Sequence, residues 1–143
     1  MDFRQAVNIV AGELTPQPWD FTDATGTTLT VIPAGLREDP GCAEVMIRIT
    51  ADKTTAAEIG IATADMPGLV EALDNRSPWE HVTVTSDTLT VIPDEEQLVL
   101  TVTEVHYGPV REVAAAIRIP ETQRMPLASA LRRALDVARG WES

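Results

Sequence analysis

The sequence predicts an α+β fold built from two pseudo-symmetric antiparallel ββββα repeats preceded by an N-terminal helix, and three observations carry that reading. The hexapeptide Thr-Leu-Thr-Val-Ile-Pro occurs twice, at 28–33 and 88–93, an offset of 60 residues. A Pro-Trp pair stands at the same distance before each copy, Pro18-Trp19 and Pro78-Trp79. An isoleucine-rich stretch and a Met-Pro pair, Met66-Pro67 and Met125-Pro126, follow in each half. Self-similarity of this kind marks one structural unit written twice. The expected division of a single domain over 1–143 is an N-terminal helix at 1–16, a first repeat at 17–76 and a second at 77–143.

Taken in order, Phe3, Val7, Val10 and Leu14 lie on one helical stripe, which Gly12, Pro16 and Pro18 bring to an end. Trp19–Thr22 reads as a strand, and Asp23-Ala24-Thr25-Gly26 supplies turn residues. In the next strand Leu29 and Val31 share one face, with Thr28, Thr30 and Ile32 on the other. After a Pro/Gly-rich loop, Val45, Ile47 and Ile49 point inward from a third strand, and Ile59 and Ile61 from a fourth. Asp65 or Met66 caps a short helix with Pro67 in its first turn, and Leu69, Val70 and Leu73 form its buried side. The second unit is expected to open with a hairpin whose strands flank a two-residue Ser86-Asp87 turn, with Val82 and Val84 inward and Trp79 and His81 on the opposite face. Leu98, Leu100 and Val102 line the third strand, and Val113, Ala115, Ile117 and Ile119 the fourth. Met125-Pro126 is expected to open the last helix, with Leu127, Leu131, Leu135 and Ala138 inward and Gly140 past its end.

The bulk numbers narrow the function. A chain of 143 residues can bury a core without metal or disulfide staples, and Cys42 has no partner cysteine. The start Met1-Asp2-Phe3-Arg4 lacks the pattern of a signal peptide, and no apolar run approaches a membrane span, so a cytoplasmic location is expected. The net charge of −11 disfavours phosphate-rich partners. It is unevenly spread: residues 1–110 carry 18 acids and 5 bases, whereas 111–143 carry 4 acids and 6 arginines. The basic end is therefore the last helix and its approach.

No catalytic constellation is visible, and the chain is expected not to be an enzyme. His81 and His106 stand outside any metal-ligand spacing, and no serine sits in a nucleophile elbow. Gly60 and Gly68 are isolated, so no phosphate-cradling loop exists. Neither a cofactor nor a metal is expected. Trp19 and Trp79 are read as rings that close the core where a helix meets a sheet, and Trp141 as an exposed anchor for a partner.

The tandem ββββα plan over 19–140 resembles the Whirly and PUR-repeat single-strand-binding proteins, whose sheets carry the aromatic and basic residues that hold nucleic acid. The helix-then-meander plan is also similar to a sliding-clamp domain. The outward set here is Thr28, Thr30, Arg48, Thr88, Thr90, Thr101, Thr103 and Arg118. Because that set is threonine-rich on an acidic protein, the expected function is a non-enzymatic protein-binding module: an adaptor, chaperone, inhibitor or complex subunit, with a protein partner and as a homodimer. The alternative that the resemblance implies is nucleic-acid association through Arg48, Arg118, Arg132, Arg133 and Arg139. These arginines, with Trp141, are the candidate site residues.

Overall fold

The computed structural model describes residues 18–33 and 43–140. The expected N-terminal helix, Cys42 and Trp141 lie outside the described residues. The strands are β1 (Trp19–Thr22), β2 (Thr28–Ile32), β3 (Glu44–Thr50), β4 (Ala56–Ala62), β5 (Trp79–Val82), β6 (Thr88–Asp94), β7 (Gln97–His106) and β8 (Arg111–Ile119). The helices are α1 (Met66–Asn75), between β4 and β5, and α2 (Glu121–Gly140). The strands form two antiparallel four-stranded meanders, β1-β2-β3-β4 and β5-β6-β7-β8. The fold is α+β with repeat-like ββββα units.

The two sheets share a register. Trp19↔Val31↔Ile47↔Ile59 in the first corresponds to Trp79↔Val91↔Leu100↔Ile117 in the second. On the opposite faces, Asp20↔Thr30↔Arg48↔Glu58 corresponds to Glu80↔Thr90↔Thr101↔Ala116. Period-two alternation therefore buries one face of each sheet, and a slip of one residue in β3, β4 or β8 would turn Ile47, Ile59 or Ile117 outward. Leu29, Val31, Ile47, Ile59, Leu89, Val91, Leu100 and Ile117 join one core cluster. The sheets meet along β4, which packs against β7 and β8. The helices pack on each other, and each reaches into the other half: α2 lies against β2 and β3, and α1 against β5.

Three local structures differ from the sequence reading. The β5–β6 connection is not a two-residue turn but spans 83–87, with Thr83 N donating to Asp87 O at 2.9 Å. Ser86 adopts φ +72°, the left-handed region that Gly26 occupies at φ +91° in the β1–β2 loop. The loops have equal length, and the register that follows turns Val82 outward and places Trp79 and His81 on the core side. The last helix begins at Glu121, one turn before Met125-Pro126, so Pro126 lies inside it. The added turn brings in Arg124. Its Nη1 donates at 3.0 Å to the carbonyls of both Leu73 and Asp74, capping the C-terminal end of α1. Finally, the acidic run Asp94-Glu95-Glu96, which the sequence predicts as a loop, gives Asp94 to β6 and leaves Glu95 and Glu96 as a tight turn with Glu95 at φ +57°. Arg76 Nη2 donates to the Glu95 carbonyl and holds that turn against α1.

Asp23 organises the β1–β2 loop. Its Oδ1 accepts from Thr25 N at 2.9 Å, Thr25 Oγ1 at 2.7 Å and Thr27 N at 3.0 Å. The Thr25 hydroxyl bond, assisted by the backbone donors, holds its carboxyl below the ordinary aspartate value of 3.8. A depressed folded-state pKa contributes stability above the unfolded value, and the contribution is lost as pH falls through the folded pKa. Asp23→Ala is expected to cost about 1 kcal/mol at neutral pH. The gap between variant and wild type should narrow below the ordinary value of 3.8. Thermal melts of both proteins across an acid series measure it, and a pH-independent gap would show that the ionised carboxylate is not what orders the loop.

Candidate nucleic-acid interface

The solvent faces of the two sheets are regular four-stranded surfaces. Threonine dominates them: Thr22, Thr28, Thr30 and Thr50 on the first sheet, and Thr88, Thr90, Thr101 and Thr103 on the second. β-branched hydroxyls suit a pleated surface and present both donors and acceptors. Each face carries one arginine near its fourth strand. Arg48 on β3 donates through Nε to Glu58 Oε2 at 2.8 Å, and its Nη2 lies 2.6 Å from the same oxygen. Arg118 on β8 donates through Nη1 to Asp94 Oδ2 at 2.6 Å and to Gln97 Oε1 at 3.4 Å. Both pairs are solvent-exposed, so a phosphate can compete for either guanidinium.

Apolar groups interleave with these hydroxyls. Ile92 and Val99 pair on the second sheet next to Arg118, and Ile92 is exposed. The equivalent row on the first sheet is Ile32↔Met46↔Gly60. There a Cβ on Gly60 would meet Glu44 Oε2 at 2.5 Å and Met46 Sδ at 3.2 Å. Gly60 thus makes room for its neighbours where the second sheet places Arg118. Gly60 and Arg118, which align in the sequence through Ile59-Gly60-Ile61 and Ile117-Arg118-Ile119, are structurally equivalent.

The remaining candidate residues do not gather into one patch. Arg132 on α2 forms an ion pair with Asp74 on α1. Arg132 and Arg139 line a groove of about 350 Å³ between the helices, together with Pro67, Val70, Glu71 and Asp74. Two carboxylates offset two guanidiniums there, so the groove is not a basic surface. Arg133 and Arg139 are exposed on α2 and have no ion pair among the described residues. Arg111, at the start of β8, shares that condition; the sequence reading passed over it. Its signal was its position beside the Tyr107-Gly108-Pro109 break. Trp19 and Trp79 pack against the core, and the Trp79 ring stacks on His81 with centroids 5.8 Å apart. Gly68 permits α1 to approach that ring, since a Cβ there would lie 2.9 Å from Trp79 Nε1.

His81 Nε2 lies 3.9 Å from Asp65 Oδ2, and His106 Nε2 lies 3.7 Å from Glu104 Oε2. No group of three or more His, Cys, Asp or Glu among the described residues is placed to hold a metal ion. No described helix is long and apolar enough to cross a membrane.

No protein-family model matches the sequence, and no curated protein matches it either. Solved structures do match. The Trypanosoma brucei MRP1/MRP2 structure superposes with a TM-score of 0.65 at 15% identity, covering 100% of this chain and 99% of that one. A guide-RNA-binding protein complex bound to a guide RNA matches with a TM-score of 0.65 at 16% identity over 94% of this chain and 99% of that one. The plant transcriptional regulator PBF-2 gives a TM-score of 0.66 at 14% identity, covering 90% and 85%. WHY1 from Arabidopsis thaliana gives 0.63 at 16% identity, covering 90% and 94%. At these identities the likeness establishes the architecture: the fold is Whirly-like.

These matches overturn the first expectation of an acidic protein-binding module. The proteins that share this fold include a guide-RNA-binding complex and a transcriptional regulator, which favours the nucleic-acid alternative. The error has a physical source. Net charge is a sum over the whole surface, and at physiological salt its reach is only about 8 Å. What a sheet face can hold depends on the groups on that face.

Proposed function

We propose that this chain is a non-enzymatic nucleic-acid-associated protein that holds single strands on the outer faces of its two sheets. The observation that carries the reading is the repetition, in one register, of a Thr-rich outer face within a Whirly-like fold, each copy bearing one arginine at its own position, Arg48 or Arg118. Its support from other proteins is the guide RNA bound by a protein of the same architecture. Arg48 and Arg118 supply the phosphate contacts, threonine hydroxyls supply adaptable hydrogen bonds, and Ile92 and Val99 supply apolar surface for bases. A homodimer and a cytoplasmic location belong to the same proposal. Two copies would double the number of faces a strand can follow and raise its avidity.

The test is fluorescence anisotropy with a labelled single-stranded oligonucleotide and its duplex, from about 50 to 200 mM salt. Single-strand binding should weaken with salt, with a log–log slope of about −0.7 for each phosphate engaged. The slope is expected to be shallow, because each sheet contributes one arginine and both are already paired. No binding of the single strand at the lowest salt would overturn the reading.

A further inference from the structure

We infer that the tip of the β7–β8 hairpin is a base-stacking site for single-stranded nucleic acid, with Tyr107 as the stacking ring and Arg111 as the phosphate contact, an inference that rests on the function proposed above. The two halves, otherwise in register, diverge here. Beyond Thr50↔Ala56, the β3–β4 hairpin closes through residues 51–55. Beyond the equivalent Thr103↔Ala114, β7 and β8 continue through Glu104↔Val113, Val105↔Glu112 and His106↔Arg111 before turning at 107–110.

The added residues bury little. Tyr107 is 63% exposed and Val110 69%, and Val84 on the adjoining β5–β6 loop is fully open to solvent. Among the described residues, Tyr107 is the exposed aromatic side chain; Trp19, Phe21 and Trp79 pack against the core.

The tip is also held in place. The Tyr107 hydroxyl donates to the Thr85 carbonyl at 2.9 Å, and Val105 N donates to Asp87 Oδ1 at 2.8 Å. Both bonds fasten the hairpin to the β5–β6 loop. A ring tethered through its hydroxyl offers an apolar surface to a base with little further ordering to be lost on binding. Of the nearby acids, Asp87 is engaged, accepting also from Thr85 Oγ1 at 3.2 Å, while Glu104 lies 3.7 Å from His106 and Glu112 is exposed beside Arg111. Arg111, exposed and without an ion pair among the described residues, sits opposite His106 at the base of the turn. An exposed ring flanked by valines and an uncommitted guanidinium is the composition that holds unpaired bases on a charged track. A duplex keeps its bases stacked inside and gives such a ring little to grip.

A single-stranded oligonucleotide carrying 2-aminopurine tests the assignment on the full chain. Wild type should quench the probe on binding. Tyr107→Ala should abolish the quench and weaken affinity about tenfold, the range of one lost base stack. Tyr107→Phe keeps the ring and should retain most of both signals. Arg111→Ala should flatten the salt slope by about 0.7. Unchanged quenching and affinity in Tyr107→Ala would overturn the tip while leaving the sheet faces as the interface. Absence of wild-type binding would overturn the tip together with the function it rests on. Unchanged affinity with a lower oligomeric mass would assign the tip to self-association and overturn it equally. All these side chains are exposed, so matching melting curves show whether each variant is folded.

Discussion

Replacing Ile59 or Ile117 by alanine is expected to destabilise the protein by about 2–5 kcal/mol in either case, and to do so within one cooperative transition. The residues hold equivalent places on β4 and β8 and are 1% and 2% exposed. Each truncation removes branched methyl groups from a site enclosed on all sides, and the cavity adds to the lost transfer energy. The halves should respond together because neither is closed by its own elements. α2, from the second half, covers β2 and β3 of the first, and β4 lies directly on β7 and β8. Urea unfolding followed by far-UV circular dichroism and by tryptophan fluorescence checks this, since Trp19 and Trp79 report on different sheets. Coincident midpoints, shifted together by either substitution, are the expected result. Separated midpoints would show that the exchange of helices does not couple the sheets.

Much of this architecture was legible because strand alternation and duplication report the same facts independently. Leu29/Val31 and Leu89/Val91 mark the inner face whichever copy is read, and all four are buried. The errors arose where one local preference was given precedence. Ser86-Asp87 fitted a two-residue turn, yet Trp79 stands as far before Thr88 as Trp19 does before Thr28. That equal spacing already required a loop of the same length as 23–27. Met125-Pro126 fitted a helix start, because proline loses nothing in a first turn. The structure places Pro126 inside α2, and the turn before it carries the Glu121–Arg124 pair at 2.8 Å and the cap on α1. The candidate site was less legible than the fold. Arg118 finds Asp94 at a separation of 24 residues and Arg132 finds Asp74 at 58, and no local pattern announces either. Counting arginines toward the C-terminus therefore overstated how many of them were uncommitted.

Removing the carboxylates that occupy Arg48 and Arg118 is expected to strengthen single-strand binding. Glu58→Gln with Asp94→Asn keeps the shape of both side chains and leaves each arginine without its ionic partner. Two freed guanidiniums should steepen the log–log salt slope by up to about 1.4 and raise affinity about tenfold or more at low salt. Arg48→Ala with Arg118→Ala should move both quantities the other way. Exposed ion pairs of this kind contribute only about 0–1 kcal/mol to stability, so both double variants are expected to melt near wild type. Opposite signs would also follow from net charge alone, because the first double variant is less acidic than wild type and the second more acidic, so a charge-matched control decides. Glu58→Gln with Asp94→Asn makes the protein less acidic, and a control that neutralises two acids away from the sheet faces, Glu71→Gln with Asp136→Asn, changes net charge equally. If the control raises affinity as much as the sheet-face pair does, the gain comes from reduced long-range repulsion and the strand does not lie on Arg48 and Arg118. If only the sheet-face pair raises it, the threonine faces are where the strand runs, and the −11 charge of the protein is compatible with binding because the deciding contacts are made within a few ångströms.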